Sequence, residues 1–342
     1  MSKLVILTGI RANNDLHIGN YVGGIKPIID MAKSKSKEYQ INLFIPDLHS
    51  FTTPIDYSTF QKTIQNNIKM LVAAGLPINI ETVDLYRQSF IPAHSELTWI
   101  LDNFTSFGEL QRMTQFKDKS AQLKSDRVSV GLFNYPVLMA SDILLYGATY
   151  IPVGDDQTQH LEFTRDIADR FNKQFNGSFI VPKPVSEQHK FFGKDQGLRI
   201  KDLSDPTKKM SKSSESSKGV IFLNDDISLA RQKILSATTD SLNKINYDQK
   251  LQPGISNLIE LLALFTDKST SEILNKYNGQ TQYGPLKNEV ADVICEFLEE
   301  LKSNISKVSS IDIDQKLTKS ESKMNVIANS KLLEVQKAIG LR

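Results

Sequence analysis

Residues 4 to 20 read Leu4-Val5-Ile6-Leu7-Thr8-Gly9-Ile10-Arg11-Ala12-Asn13-Asn14-Asp15-Leu16-His17-Ile18-Gly19-Asn20, and the architecture turns on them. The opening apolar run reads as a strand and a helical pattern starts at His17, which makes the residues between them a βα turn. Such a turn aims free backbone N–H groups at an anion. Gly19 lets a ligand approach the backbone closely, while His17 and Asn20, three apart on one helical face, can both donate to phosphate oxygens. The same short pattern also suits a capped helix with a packed histidine.

The alternation continues along the chain. Ile41 to Ile45 reads as a second strand; Phe60, Ile64, Ile68, Leu71 and Val72 form one face of a helix that Gly75 caps; Val83 to Tyr86 is a third strand. Pro27 predicts a kink or an early end in the first helix. Residues 117–130 mix charges with little periodicity and read as a mobile surface loop. A helical block from Gly131 to Tyr146, a short strand from Tyr150 to Val153 and a long helix opened by Asp155-Asp156 follow. From about residue 225 the strand signals fade, and Leu258-Ile259, Leu262, Phe265, Val290, Val293-Ile294, Phe297 and Leu298 suggest packed helices. The expected class is α/β: a Rossmann-like parallel sheet with an all-helical second unit.

At 342 residues the chain is long enough for two domains, and its 40% apolar content supports a sizeable core. With 41 basic and 39 acidic residues it lacks the one-signed field of a histone-like nucleic-acid binder, so any RNA contact must be built locally. The single cysteine, Cys295, cannot pair within the chain or complete a thiolate metal cluster. The first apolar run is too short for a signal-peptide core and no segment reaches about 18 apolar residues, so the expected location is cytoplasmic, with no membrane partner.

A second segment carries chemistry: Asp205-Pro206-Thr207-Lys208-Lys209-Met210-Ser211-Lys212-Ser213. Lys209 and Lys212, three apart among small residues, offer two ammonium groups to a leaving pyrophosphate whose charge grows in the transition state. Read alone, such a tract is better taken as a solvated serine-rich linker. Together, His17-Ile18-Gly19-Asn20 and Lys209-Met210-Ser211-Lys212-Ser213 resemble, in order and separation, the paired signatures of class I aminoacyl-tRNA synthetases. The closer resemblance, over nearly the full length, is to the bacterial-type tryptophanyl-tRNA synthetase family. It rests on Gly108 to Lys117, Tyr135-Pro136 with Leu138 to Tyr146, Val153 to Gln157 with Gln159-His160, and Pro253 to Leu258.

The resemblance implies a division into a Rossmann-like catalytic domain at 1–205, a signature loop and helical anticodon-binding domain at 206–317, and a C-terminal helix at 318–342 that packs back on the first domain. It implies that Asp142 accepts the indole N–H, as suits a donor-only nitrogen. Leu7, Met139, Ile151 and Val153 would surround the ring, and Tyr135 and Gln157 would lie near the ammonium and carboxylate. The ATP-binding residues would be Arg11, Ala12, Asn13, Gly19, Asn20, Lys119, Gly154, Asp155, Asp156, Ile200, Lys209, Met210, Ser211, Lys212 and Ser213. Among these, Gly154-Asp155-Asp156 resembles the ribose-contacting turn, Ile200 the adenine-edge residue and Lys119 the lysine that meets ATP phosphate. His17, Asn20, Lys209 and Lys212 would carry catalysis.

Two departures stand out. Arg11-Ala12-Asn13-Asn14 replaces the Gln-Pro-Ser-Gly of many relatives; Asn14 tolerates a left-handed backbone, whereas Arg11 is chemically unlike the amide. Leu7 stands where a relative can carry an aromatic ring. The implied reaction joins L-tryptophan to ATP, with Mg²⁺ arriving on the nucleotide and no protein metal site, then transfers the acyl group to tRNA(Trp) on a homodimer. Competing readings are a tyrosyl enzyme of the same class, a catalytically silent RNA-binding paralogue, and a plain nucleotidylyltransferase, which would not need the helical unit.

Overall fold

The computed structural model describes residues 3–10, 15–52, 54–122, 128–152, 154, 157–193, 200–211 and 217–342. Four strands, β1 (Val5–Gly9), β2 (Gln40–Ile45), β3 (Val83–Arg87) and β4 (Ala148–Tyr150), form a parallel sheet in the order β3-β2-β1-β4. The chain moves outward from β1 to β3 and then returns to the other side of β1. That reversal opens a crevice at the carboxyl ends of β1 and β4, where open α/β sheets bind ligands. The expected fold class holds. The fourth strand begins two residues earlier than its apolar run suggested, and its register against β1 shifts between Val5 and Ile6.

Strand alternation divides the apolar residues into two cores. Ile41, Leu43, Ile45, Val83 and Leu85 face α4 (Phe60–Ala73), and this cluster runs on through α11 (Ile227–Leu235) to α12 (Pro253–Thr266) and α14 (Gly284–Lys307). Leu7, Phe44 and Tyr86 point the other way, toward α5 (Ala93–Asp102), α8 (Val130–Leu144) and α9 (Thr158–Phe175). Gly75, at φ +103°, ends α4 as its position predicts, with its N–H bonded to Val72 O and Leu76 N–H to Leu71 O.

Pro27 does not end its helix, and the departure from α geometry falls in the turn just before it. The chain passes from α1 (Ile18–Asn20) through a π turn at Tyr21–Ile25 into α2 (Lys26–Lys35), where the proline occupies the first turn and its missing N–H is harmless. The expected loop at 117–130 is also helical at its start. α7 (Thr114–Gln122) extends through Lys119 because Phe116 packs edge-on against Phe133, with centroids 5.1 Å apart; residues 123–127 lie outside the described set.

The last helix, α15 (Ser310–Ala338), covers the edge of the sheet. Ser320 Oγ and Glu321 Oε1 accept the N–H groups of Leu85 and Arg87 at 3.2 Å each, and Glu321 also holds the Arg87 guanidinium at 2.7 and 2.9 Å. An edge strand left open would otherwise invite pairing with another chain. Gly254, in the first turn of α12, has a different constraint: a Cβ there would lie 2.1 Å from Thr238 O. Gly254→Ala therefore forces α12 off the backbone beneath it and lowers stability by about 1–3 kcal/mol, measured as a fall in the urea midpoint.

Candidate active site

Two segments distant in sequence meet through main-chain hydrogen bonds. Ile18 N–H donates to Ile221 O and Leu223 N–H to Leu16 O, both at 2.9 Å, setting His17 opposite Phe222. The arm leading into the lysine-rich segment is paired too: Asp202 N–H reaches Lys208 O at 3.0 Å and Met210 N–H reaches Ile200 O at 2.9 Å, with Lys201 opposite Lys209. A Cβ built on Gly19 would sit 3.6 Å from Met210 Cβ. The first helix therefore opens directly against the second segment.

His17 and Asn20 form a reciprocal cap. Asn20 N–H donates to His17 Nδ1 at 3.2 Å, and His17 N–H donates to Asn20 Oδ1 at 3.1 Å. An accepting Nδ1 puts the imidazole proton on Nε2, which leaves that edge as the donor. Burial, and secondarily the charge of Lys209, lowers the His17 pKa to about 4. The expectation that free backbone amides line the turn is corrected in part: Ile18 and Asn20 spend theirs on Ile221 and on the cap.

Beside β1 lies a cavity of about 440 Å³. It gathers Leu7, Lys119, Tyr135, Met139, Asp142, Ile151, Gly154 and Gln157, and adds Thr8, Gly9, Phe44 and His49. Asp142 is the buried charge in its wall. Oδ1 accepts Gln88 Nε2 at 2.7 Å and pairs with His94 Nδ1 at 2.6 Å; Oδ2 pairs with His49 Nε2 at 2.8 Å. His94 Nε2 in turn meets Tyr146 Oη at 2.9 Å. Burial alone would push the Asp142 pKa up, yet the hydrogen bonds from His49 and His94 hold it below the ordinary carboxylate value. A carboxylate has about four acceptor positions, so these three partners leave one on Oδ2.

Tyr135 Oη meets His160 Nε2 at 2.9 Å, and Lys119 Nζ lies 4.6 Å from the centre of the Tyr135 ring. Ile200 is buried, with its carbonyl engaged by Met210. Arg11, Ala12, Asn13, Val153, Asp155, Asp156, Lys212 and Ser213 lie outside the described residues.

The family model for class I tRNA synthetases of the tryptophan and tyrosine type matches residues 1–299. The chain belongs to this family. It is 40% identical over 336 residues to the tryptophan--tRNA ligase of Caldanaerobacter subterraneus subsp. tengcongensis, covering 98% of each chain. It is 42% identical over 344 residues to that of Ureaplasma parvum, covering 98% of this chain and 99% of the other. The crystal structure of tryptophanyl-tRNA synthetase from Mycoplasma pneumoniae superposes with a TM-score of 0.83 at 34% identity, over 100% of this chain and 99% of that one. The Campylobacter jejuni enzyme, complexed with ADP and tryptophan, gives 0.80 at 28% identity, over 98% and 100%. Within the class I synthetases, the chain is a tryptophanyl member.

His49, Gln88 and His94 are the partners of Asp142 that the motifs passed over. Their signal was positional: His49 and Gln88 follow directly on the carboxyl ends of β2 and β3, where an α/β sheet collects its ligands. The depressed pKa of His17 has a consequence for stability. An unfolded histidine binds a proton near pH 6.5, whereas the folded one waits until about pH 4. Its contribution is therefore present above pH 6.5 and is lost as pH falls toward 4. Urea titrations at about pH 7 and about pH 5 check this: His17→Asn, which keeps a capping acceptor, flattens that part of the slope.

Proposed function

We propose that the protein activates L-tryptophan with ATP to tryptophanyl-adenylate and transfers the acyl group to tRNA(Trp), releasing pyrophosphate and AMP. The observation that carries this reading is the abutment of Gly19 on Met210, with a cavity containing a buried carboxylate beside β1. One segment can meet the nucleotide phosphates from the helix side and the other from the loop side. The cavity supplies the amino acid's subsite.

In this reading the tryptophan carboxylate attacks the α-phosphorus in line, with no covalent intermediate on the protein. Catalysis is then positioning and charge stabilisation. His17 donates through Nε2, Asn20 through its amide, and Lys209 and Lys212 neutralise the departing pyrophosphate, while Mg²⁺ enters with ATP as part of the substrate. Arg11, Ala12 and Asn13 lead toward the phosphates; Gly154, Asp155 and Asp156 take the ribose; Ile200 borders the adenine; Lys119, Met210, Ser211 and Ser213 complete the nucleotide subsite. Asp142 Oδ2 takes the indole N–H, Leu7, Met139, Ile151 and Val153 hold the ring, and Tyr135 and Gln157 orient the amino acid's polar end. The Campylobacter jejuni relative, bound to ADP and tryptophan, supports this pair of subsites.

The domain division at 205 and 317 belongs to the same reading, with anticodon recognition assigned to the helical unit. It is supported by a sheet that ends at Tyr150 and by the helical character of α11, α12 and α14. A homodimer is supported by large apolar side chains left exposed: Trp99 at 73%, Phe107 at 69% and Val130 at 81%. Among the described residues, no helix is long and apolar enough to cross a membrane.

Tryptophan-dependent exchange between ATP and pyrophosphate tests the activity; exchange that responds to tyrosine and not tryptophan would move the chain to the tyrosyl branch. Lys212→Ala lowers the adenylation rate by about 10²–10³, or ~3–4 kcal/mol, and a pre-steady-state rate within about threefold of the unaltered chain contradicts its role. Asp142→Asn weakens discrimination against tyrosine and phenylalanine, read as the ratio of kcat/KM values among the three amino acids.

A further inference from the structure

The segment Pro253-Gly254-Ile255-Ser256-Asn257-Leu258 contributes nothing to the cavity or to the phosphate-facing pair, yet it holds a buried amide with a specific task. Asn257 is 2% exposed. Its Oδ1 accepts Lys201 N–H at 2.8 Å and its Nδ2 donates to Lys201 O at 3.0 Å, so one side chain takes both backbone groups of one residue. Lys201 faces Lys209 in the antiparallel bridge, but the bonds of that bridge are made by its neighbours Ile200 and Asp202. The amide and carbonyl of Lys201 therefore point away from the arm that carries Lys209. Asn257 substitutes for the strand that would otherwise satisfy them.

The opposite arm is gripped in the same way. Lys233 Nζ, from α11, donates to Val220 O at 2.8 Å and to Asp225 Oδ2 at 2.6 Å; that carboxylate oxygen also accepts Phe222 N–H at 2.9 Å. Each arm of the lysine-rich segment is thus held by a polar side chain rooted in a separate helix. α12 is a firm base for one of them, since Ile255, Leu258 and Ile259 are fully buried and Gly254 rests against Thr238.

We propose that Asn257 is a positioning residue for the adenylation step, through which α12 sets the register of the 200–202 and 208–210 arms and so the placement of Lys209. This rests on the tryptophan-activating reading above. Asn257 touches no reacting atom; it acts through Lys201. Loss of the clamp should then slow the step in which the lysines stabilise pyrophosphate, without altering the cavity around Asp142, which neither Asn257 nor Lys201 lines.

The test uses Asn257→Asp, which keeps the volume, accepts Lys201 N–H and presents a second acceptor to Lys201 O, together with Asn257→Ala. In pyrophosphate exchange, both variants lower kcat at least about tenfold while the KM for tryptophan stays within about twofold. A kcat within about twofold of the unaltered chain, or kcat and tryptophan KM worsening together, overturns the proposal. An unaltered chain without tryptophan-dependent exchange defeats the functional reading instead, which keeps the two failures distinct. Should either variant lack a cooperative unfolding transition, amide hydrogen exchange on the unaltered chain decides. A Lys201 amide exchanging with the core amides of α12 supports the clamp, and one exchanging as fast as exposed loop amides overturns it.

Discussion

Leu16 to Ile18 pair with Ile221 to Leu223 across roughly two hundred residues of chain, and the meeting of the first helix with the segment around Met210 depends on that pairing. Two hydrogen bonds of this kind are worth little by themselves. They form because each partner is presented by a separate packed body. The sheet and α4 fix the opening of the first helix, while α11 and α14 fix the returning segment, with Lys302 Nζ reaching Asp225 O at 2.6 Å. The one apolar cluster that runs from β2 and β3 through α4 to α12 and α14 makes these bodies continuous. A site assembled from such remote parts exists only when the whole is folded, which ties its geometry to global stability.

The cavity obeys a different logic. A buried carboxylate is costly unless nearly all of its acceptor positions are used, and Asp142 meets this with Gln88, His94 and His49. Saturation would make it inert. Three partners for about four positions leave the group charged, oriented and short of one donor, which is the electrostatic complement of a single N–H. His94 is itself fixed by Tyr146 and by Ser141 Oγ, which donates to the His94 carbonyl at 2.8 Å, so the carboxylate cannot swing to serve another group.

The parallel sheet was legible because its strands are short apolar runs separated by helix-period patterns, and the family was legible because the residue types at 17–20 and 209–213 repeat a known signature. The buried partners of Asp142 and the start of α7 escaped sequence reading for one reason, the distance between the residues that meet. Gln88, His49 and His94 lie in unrelated stretches, and their common purpose appears only when the sheet brings the ends of β2 and β3 together around α8. The helical start of 117–130 was hidden because its packing partner, Phe133, lies beyond the charged stretch. Pro27 does not end its helix for a local reason: it stands in the first turn of α2, just after the π turn, where a proline is tolerated.

Size alone cannot explain how such a cavity chooses its substrate, because tyrosine and phenylalanine are smaller than tryptophan and would fit the same space. Selection against a smaller ring must come from what that ring fails to do. Removing a methylene from an apolar contact changes binding by only about 1–3 kcal/mol, whereas leaving a buried polar partner unserved discriminates by far more, on the order of 10⁴–10⁵. In the proposed reading, Asp142 supplies that second kind of penalty against a ring without a donor, such as that of phenylalanine, while Leu7, Phe44, Met139 and Ile151 supply the apolar part of the lining. On that reading, a large ring with one polar handle is selected in a single binding step.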